Sequence, residues 1–497
     1  MQLNEKFFQK GVDLIPELIE TRVEVESTVK FDGEKLVPDT PYTERILDEG
    51  DSFIIDFGDH EVGHFTFTVD YDGCCADAPA YLEVAFTEQP RELLENTDEY
   101  NGWISKAWIQ KEKVHLDVLP TEYTFPRRYA FRYVKITALS RTNKYKTKIT
   151  NAYCVSTTSA DYSKLEKRDF GDKYIEKLDK IACRTLSDCM QKFFEDGPKR
   201  DRRLWSGDLR LQAIANYETF KNYDLVKSAL YLIASMPMES GQSIVCLFLE
   251  PKPLPSDDNM VDYSILYIKV LEDYFNATGD METLKELYPF ARGQIDYVRT
   301  RMADGVVATD VPAFIDWCKG LKKTAAMNGV YLYSLKSAAR LAGHLGFDDD
   351  VTEFETEYQR ASVAVKNKFF DEKIGLYVSE GQVSYASQVW MVLAGLNPSD
   401  GVELLKRAEA YDGIVKPVTP YMYHNLIDAY MEAGSNEDAF RILKFYWGGM
   451  EKCGADTFFE IYNPENPDES PYGGTAVNSY CHAWACAPAY FYRKYTK

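Results

Sequence analysis

The sequence predicts two domains, an N-terminal antiparallel β-sandwich over residues 1–165 and an (α/α)6 barrel over residues 166–497. Three observations predict this fold. Between about residues 50 and 158, apolar and polar residues alternate with a period of two, which is typical of strands with one buried face. After residue 170, twelve segments have the helical period instead. These segments alternate between charged helices and helices poor in charge, as expected for the outer and inner rings of a helical barrel.

The predicted strands of the first domain are runs rich in β-branched and aromatic residues, separated by Gly, Pro and Asp. They are HFTFTVDYDG (64–73), YLEVAF (81–86), VHLDVL (114–119), FRYVKITAL (131–139) and TKITNAYCVST (147–157). The preceding HEVGH (60–64) matches the zinc motif H-E-x-x-H, which needs a helix to place both His side chains on one face. Because HEVGH continues into a strand, we predict no metal site there.

The two types of helix are clearest in the second half of the barrel. SYASQVWMVLAGL (384–396) and TPYMYHNLIDAYMEAG (419–434) are rich in aromatic and small residues, which predicts inner helices. DDDVTEFETEYQRASVAVKNKFF (348–370) has a charged face, which predicts an outer helix. The last inner helix is predicted over residues 476–494.

Loop lengths predict where a functional site lies. The links from an inner helix to the next outer helix have two to four residues, whereas the links from an outer to an inner helix have about eight to about twenty-four. In such a barrel all the long links emerge at one end, and long loops on a rigid scaffold are where sites are usually built. Three of these loops are DVPAFIDWCKG (310–320), YDGIVKPVTP (411–420) and GADTFFEIYNPENPDESPYGG (454–474).

The first long loop contains DGPKRDRRLWSGD (196–208), which gathers three Asp, three Arg and one Lys around a single Trp. Its Pro and Gly indicate a loop that leads into a helix, with Ser206 or Asp208 as the N-cap. One interpretation is a solvated run of charges beside a packed Trp. The other is a carbohydrate site, since carboxylates held by guanidinium groups can bind hydroxyls while an aromatic ring stacks on the apolar face of a sugar.

This loop resembles the signature of glycoside hydrolase family 78, the α-L-rhamnosidases, which usually has the form D-C-P-x-R-E-R-x-G-W-x-G-D. Three further segments are similar to motifs of that family and occur in the same order. They are FIDWC (314–318), similar to G-D-W-L, GADTFFE (454–460), similar to G-A-T-T-x-W-E, and NSYCHAW (478–484), similar to S-x-N-H-x-A. The resemblance implies an inverting glycosidase with an (α/α)6 catalytic barrel, here as a short member without the C-terminal β-domain.

The resemblance also implies roles for individual residues. Asp201 stands at the position of the general acid, and Glu460 at the position of the base that activates water. Hydroxyl-binding and apolar sugar contacts are implied for the other matched positions, with core packing as the alternative for each Trp. These positions are Asp196, Arg200, Trp205, Asp208, Trp317, Trp447 and His482, together with Asp262 and Tyr263 at the start of the fourth helix.

The position of the acid departs from the family pattern, which usually has Glu there. Asp201 is one methylene shorter, and a misplacement of about 1 Å can cost on the order of 100-fold in rate. Three interpretations follow. The backbone lies closer to the glycosidic oxygen, the substrate is a different glycoside, or the activity is weak or absent.

Composition narrows the alternatives. A net charge of −21 opposes binding to nucleic acid and to anionic membrane surfaces. We find no membrane-spanning stretch and no secretory leader, and the ten Cys are irregularly spaced, so we expect a cytoplasmic protein with reduced thiols. We expect no cofactor or metal, a small carbohydrate as the binding partner, and either a monomer or a homo-oligomer. An exo-acting α-L-rhamnosidase is the predicted function. The alternatives are an uronyl hydrolase or lyase of the same fold, and a sugar-binding homologue that has lost turnover.

Overall fold

A computed structural model of the chain describes residues 3–397 and 400–496. An antiparallel sheet domain with strands between Ile19 and Thr158 is followed by a helical domain between Lys173 and Tyr495. The predicted fold class is therefore confirmed. The outermost residues of both predicted domains lie outside the described residues.

Within the described residues the sheet domain has ten strands, and every pair between them is antiparallel. The main path through the sheet is β1-β10-β5-β9-β6-β7. The strands are β1 (Ile19–Glu24), β2 (Ser27–Asp32), β3 (Lys35–Pro38), β4 (Arg45–Leu47), β5 (Ser52–Gly73), β6 (Ala80–Thr87), β7 (Lys111–Leu116), β8 (Thr121–Thr124), β9 (Tyr129–Ala138) and β10 (Tyr145–Thr158).

Strand β5 organises the sandwich because its two halves have different partners. The first half pairs with β2 and β9, and the second half pairs with β8 and β10. The register with β9 shifts between Asp56 and Glu61, as it does at a β-bulge that bends a strand. HEVGH lies within this strand, whereas the sequence analysis places the start of a strand there. The aromatic side chains around it, among them Phe57, Phe65 and Phe131, form the core of the domain.

The described part of the helical domain has twelve α-helices, and one further helix, α1 (Glu5–Asp13), precedes the sheet. The twelve are α2 (Lys173–Cys189), α3 (Ser206–Glu218), α4 (Tyr223–Ala234), α5 (Val261–Thr278), α6 (Met281–Arg299), α7 (Thr324–Leu345), α8 (Asp348–Phe369), α9 (Tyr385–Ala394), α10 (Gly401–Glu409), α11 (Pro420–Glu432), α12 (Asn436–Lys452) and α13 (Ala487–Tyr495). The loops between them contain short strands, which are β11 (Leu204–Trp205), β12 (Cys246–Phe248), β13 (Leu254–Pro255), β14 (Met302–Ala303), β15 (Val306–Val307), β16 (Phe370–Asp371), β17 (Leu376–Ser379) and β18 (Gln382–Val383).

The odd-numbered helices from α3 to α13 form the inner ring. Each of α3, α5, α7 and α9 contacts the next inner helix, and α13 contacts α3. The ring closes from α11 through a short 3-10 turn, Ala483–Ala485, that also packs on α3. The inner helix α3 is buried continuously from Ser206 to Asn216, whereas the outer helix α8 has only five buried residues. The predicted alternation of outer and inner helices is thus present in the structure.

Two elements differ from the prediction. The last inner helix begins at Ala487 rather than near residue 476. Before it lie two short 3-10 turns, Thr475–Val477 and Ala483–Ala485, and the residues between them bond other segments through their backbone, as in the bond from the His482 amide to the Phe458 carbonyl (2.9 Å). The sequence analysis also missed α1, which packs on α4 of the barrel and is capped by the Asn4 side chain. In the described part of the chain, no helix combines the length and the apolar character that a bilayer crossing requires.

Candidate active site

A pocket of about 370 Å³ opens among the long loops at one end of the barrel. This volume is within the range of about 300 to 1,000 Å³ for small-molecule sites. Eight of the eleven predicted site residues line it. They are Asp196, Asp201, Trp205, Asp208, Tyr263, Trp317, Glu460 and His482. The sequence therefore predicted most of the wall from three separate loops and two helix starts.

The loop before α3 is closed by Asp196 and carries Asp201 at its tip. The Asp196 carboxylate accepts a hydrogen bond from the Arg203 amide (3.0 Å), and the Asp196 amide donates to the Arg203 carbonyl (3.1 Å). Between these ends, Asp201 and Arg202 have left-handed backbones, with φ of 64° and 55°. Asp tolerates this region better than most residues with a side chain, and such strain is typical of functional sites.

The start of α3 differs from the predicted capping. Ser206 is already the first helical residue, and Trp205 occupies the N-cap position without a capping hydrogen bond. The short pairing of β11 with β12 holds this position instead, and the Ser206 amide donates to the Val245 carbonyl (2.8 Å). The prediction of Ser206 or Asp208 as N-cap is therefore wrong. As a result, the Asp208 side chain is directed into the pocket rather than to its own helix.

Gly207 in this segment is needed for close packing. A Cβ atom at this position would lie 2.3 Å from the ring of Tyr263, which is far inside van der Waals contact. The Tyr263 hydroxyl in turn lies 3.4 Å from an oxygen of Asp208. The glycine therefore lets an aromatic ring of α5 support the start of α3.

Arg200 holds together the two carboxylates that the sequence predicts as acid and base. One terminal nitrogen of its guanidinium lies 3.8 Å from Asp201 Oδ1, and the other bonds Glu460 Oε2. The third nitrogen donates to the Val477 carbonyl (3.1 Å), which fixes the plane of the group. Because both carboxylates contact one guanidinium, these two oxygens are at most about 8 Å apart, compatible with the spacing of about 6.5 to 9.5 Å in inverting glycosidases.

Glu460 is buried and has a second partner in Tyr472, whose hydroxyl donates to Oε1 (2.5 Å). Burial raises the pKa of Glu460, while Arg200 and the Tyr472 hydrogen bond oppose that shift. Arg200 also lies 4.2 Å above the Tyr472 ring, so the three side chains form one packed unit. The sequence analysis missed Tyr472, which lies in the long link between α12 and α13. The residues around it are Gly, Pro, Ser and Asp typical of turns, and they show neither a helical nor a strand period.

Two buried polar atoms in the pocket have no hydrogen-bond partner among the described residues. They are Asp208 Oδ1 and His482 Nδ1, which lie 3.9 Å apart. Burial, followed by the charge of Glu460, raises the pKa of Asp208 well above its usual value. Burial and the Arg200 charge lower the pKa of His482 well below its usual value, so the ring is neutral and offers one donor and one acceptor. Unpaired buried groups are costly, and a ligand with hydroxyls would satisfy both.

Three predicted residues do not line the pocket. Arg200 is not a lining residue and instead bonds Glu460 and the Val477 carbonyl. The Asp262 carboxylate accepts hydrogen bonds from the amides of Phe314 and Ile315 (2.9 and 2.8 Å), so it positions the third loop instead of contacting a ligand. Trp447 is fully buried and donates from Nε1 to the Ala485 carbonyl (2.6 Å). Trp447 is therefore a core residue, which corrects the prediction that it contacts a sugar.

The pocket also has walls that the sequence analysis did not single out. The additional lining residues are Met260, Ala313, Phe314, Asp316, Cys318, Lys323 and Trp484. Most of them lie in or next to the recognised motifs. Their closeness in sequence to Trp317 and His482 could therefore have identified them as lining residues. Asp316 accepts hydrogen bonds from the amides of Val418 and Thr419 (2.9 and 3.1 Å) and so joins the third loop to the fifth.

The sheet domain supports the acid loop through buried charges. Lys199 is fully buried, bonds Glu92 and lies 3.7 Å from Glu88. Glu88 also accepts the Tyr480 amide (2.7 Å) and lies 3.1 Å from His60 Nε2. A buried ion pair with its remaining lone pairs bonded fixes a geometry more than it adds stability. Two carboxylates of the sheet domain thus anchor the loop that carries Asp201.

His60 belongs to a group whose composition would suit a metal ion. Its side chain, Asp188 and Cys481 have potential ligand atoms within 4.8 Å of one another. However, His60 Nδ1 bonds Asp188 (2.7 Å) and Nε2 bonds Glu88. Both ring nitrogens are therefore already engaged, and the cluster is accounted for as a link between the two domains.

Carboxylates and aromatic rings around a pocket at the loop end of an (α/α)6 barrel define a glycoside hydrolase of the six-hairpin type. Residues 170–495 match the family described as bacterial alpha-L-rhamnosidase 6 hairpin glycosidase domain. Residues 17–156 match the glycosyl hydrolase family 78 alpha-rhamnosidase N-terminal domain. The chain belongs to glycoside hydrolase family 78 and is an α-L-rhamnosidase-type glycosidase.

Solved structures agree with this assignment. A rhamnosidase from Klebsiella oxytoca with rhamnose bound has 38% sequence identity and a TM-score of 0.95, covering 99% of each chain. A family 78 rhamnosidase from Bacillus sp. GL1 (18% identity, TM-score 0.77) and an α-L-rhamnosidase from Streptomyces avermitilis (18% identity, TM-score 0.70) share the fold. This chain aligns over 93% and 96% of its length with those two, and spans 48% and 44% of theirs. No curated protein matches the sequence.

Proposed function

We propose that this protein removes terminal α-L-rhamnose from small glycosides or oligosaccharides with inversion at the anomeric carbon. The observation that carries the proposal is the position of Asp201 and Glu460 on two sides of the Arg200 guanidinium, in one pocket. Inversion requires the two carboxyl groups to be about 6.5 to 9.5 Å apart so that a water molecule fits between the sugar and the base, and the bound of about 8 Å set by Arg200 allows this spacing. A pocket, as opposed to an open groove, suits a terminal sugar and therefore exo action.

In the proposed reaction Asp201 is protonated and Glu460 is ionised at the start. Asp201 gives its proton to the glycosidic oxygen as the bond from that oxygen to C1 breaks. A water molecule attacks C1 from the opposite face, and Glu460 takes the proton that the water loses. The products are the free alcohol or phenol and β-L-rhamnose, and exchange of one proton with solvent restores both groups.

The left-handed backbone at Asp201 supports a role for the shorter acid. A glutamate is the usual residue in the family pattern, and an aspartate needs its backbone closer to the leaving oxygen. The strained turn at Asp201 and Arg202 is a backbone conformation that Asp adopts more readily than Glu. Of the three interpretations of the aspartate at this position, the local geometry therefore favours the first, in which the backbone lies closer to the glycosidic oxygen.

The other lining groups fit a deoxy sugar. Asp208 Oδ1 and His482 Nδ1 would bond hydroxyls, since neither has a partner among the described residues. Trp205, Phe314 and Trp484 supply apolar surface for the ring and the C6 methyl group. Five of the lining side chains are acids and only one, Lys323, is a cation, which disfavours the anionic substrates of uronyl hydrolases and lyases.

The direct test is hydrolysis of p-nitrophenyl α-L-rhamnoside by the purified protein, compared with a panel of other p-nitrophenyl glycosides. We expect p-nitrophenol release from the α-L-rhamnoside at a kcat/KM at least tenfold above that for any other member. A higher kcat/KM for another glycoside would contradict rhamnose as the glycone. Binding of rhamnose without any hydrolysis would favour the sugar-binding alternative.

Replacing Tyr472 by phenylalanine should change the pH dependence. The Tyr472 hydroxyl stabilises the ionised form of Glu460, so its loss raises the pKa of that carboxyl further. Glu460 must be ionised to act as base, so activity is lost as pH falls through this pKa. We therefore expect the acidic limb of kcat/KM against pH to move to higher pH in Tyr472→Phe, with a smaller effect on the plateau. An unchanged acidic limb would show that another group controls it.

We also place the protein in the cytoplasm, since all ten cysteines are free thiols in the structure. The oligomeric state stays a prediction.

A further inference from the structure

We propose that Trp103 of the sheet domain and Trp317 of the barrel form a binding site for the leaving group, and that this site takes a neutral, planar aromatic aglycone. The proposal rests on the proposed function for the reaction itself and adds the class of the leaving group. Trp103 was not among the residues that the sequence analysis selected.

A row of aromatic rings leads from the pocket wall to the outside. The ring of Trp484 lies 5.8 Å from that of Phe314, Phe314 lies 6.1 Å from Trp317, and Trp317 lies 6.5 Å from Trp103. The exposed fraction of these residues increases in the same order, from 4% and 8% to 42% and 66%. The row therefore ends at the pocket mouth, with the two outer rings available to a ligand.

The leaving group should point toward this mouth. The side chain of Asp201, the proposed acid, is 25% exposed, whereas that of Glu460, the proposed base, is 8% exposed. The acid contacts the leaving oxygen, so the part of the substrate beyond that oxygen extends from the more exposed side. Trp317 is a residue of the pocket wall and meets Trp103 at the mouth, so a leaving group that extends out of the pocket passes these two rings.

The Trp103 ring is fixed in place in spite of its exposure. Its Nε1 donates to the Pro471 carbonyl (2.8 Å), and its ring lies 5.5 Å from that of Tyr472. The preceding Gly102 allows the loops to approach, because a Cβ there would lie 1.9 Å from the Tyr472 carbonyl oxygen. Holding a large apolar ring rigidly in contact with water is unfavourable unless a ligand covers the ring. Two such rings side by side at a pocket mouth therefore indicate a contact site.

The chemistry of the two rings favours an aromatic ligand. The single donor of Trp103 is already bonded, so this side chain offers ring surface without a hydrogen bond. Stacking on such a surface suits a flat aromatic group, whereas a sugar at the same place would require polar partners for its hydroxyls. The net charge of −21 disfavours an anionic aglycone.

The test compares substrates with and without an aromatic leaving group. For Trp103→Ala we expect KM for 4-methylumbelliferyl α-L-rhamnoside to rise about fivefold to tenfold, as for loss of an aromatic contact. KM for methyl α-L-rhamnoside and inhibition by free rhamnose should stay within twofold. Trp103→Phe should retain most of the affinity for the aryl substrate. Phe445→Ala removes a ring of similar exposure (59%) from the outer helix α12, and it should leave KM unchanged for both substrates.

The two proposals fail in different ways. An equal effect of Trp103→Ala on the aryl and methyl substrates, or no effect on either, would overturn the aromatic site while leaving the hydrolysis in place. If the wild-type protein hydrolyses neither substrate, the proposed function fails. In that case calorimetric binding of 4-methylumbelliferone to the wild-type protein and to Trp103→Ala decides the inference. Binding that Trp103→Ala weakens at least fivefold supports it, and equal or absent binding overturns it.

Discussion

Glu460→Gln is expected to lower kcat on p-nitrophenyl α-L-rhamnoside by about 10³-fold, since a positioned general base contributes on the order of 10² to 10⁴. Glutamine keeps the shape of the side chain and can still accept the Tyr472 hydrogen bond, but it cannot take the proton of the attacking water. Because the sugar contacts remain, inhibition by rhamnose should change little. Steady-state kinetics with p-nitrophenol detection measures the effect.

The control for this variant is Glu465→Gln, which changes an exposed carboxylate on the same loop and should be as active as the wild type. Glu460→Gln also removes the partner of the buried Arg200, so thermal unfolding must accompany the kinetics. A Glu460→Gln protein that remains folded, binds rhamnose and retains more than a tenth of the wild-type kcat would exclude Glu460 as the base.

Asp201→Asn should have an effect that depends on the leaving group. For methyl α-L-rhamnoside, whose alkoxide is a poor leaving group, we expect kcat/KM to fall by about 10³-fold, within the range for general acid catalysis. For 2,4-dinitrophenyl α-L-rhamnoside the loss should be tenfold or less, because that phenolate leaves without a proton. The two substrates measured side by side give the comparison.

Glu460→Gln is the matched contrast, since loss of the base should slow both substrates to the same degree. Equal losses for the two substrates in Asp201→Asn would contradict proton donation by Asp201. Asp257→Asn, a change in the second long loop away from the pocket lining, should leave both rates unchanged and serves as the control for a lost carboxylate.

The sequence was sufficient for the architecture because periodicity reports burial directly. The strands around β5 and the alternation of α8 with α9 follow from which side chains face a core, and this pattern is local. The start of α13 could not be predicted in the same way. Residues 478–482 have no Asp, Glu, Lys or Arg, as expected for an inner helix, but long-range backbone bonds, such as that from the His482 amide to the Phe458 carbonyl, keep them out of a helix.

The site could be predicted where a motif places side chains, and not where another loop supplies them. The loop with Asp196, Asp201 and Asp208 was identified from residue types at fixed spacing. Tyr472 and Trp103 have no such spacing, and they reach the site only because a loop of the sheet domain packs on the loop after Glu460. Trp447 is an error of the opposite kind. The family resemblance selected it as a sugar contact, but its side chain is fully buried in the core.

The central claim is that water attacks from the face opposite the leaving group, directed by Glu460 while Asp201 protonates the departing oxygen. The anomeric configuration of the first product tests it most directly. The hydrolysis of p-nitrophenyl α-L-rhamnoside is followed by proton NMR with enough enzyme to outpace mutarotation. We predict that β-L-rhamnose forms first and the α anomer accumulates only later by mutarotation. If α-L-rhamnose forms first, the configuration is retained, and the pairing of acid and base described for Asp201 and Glu460 is contradicted.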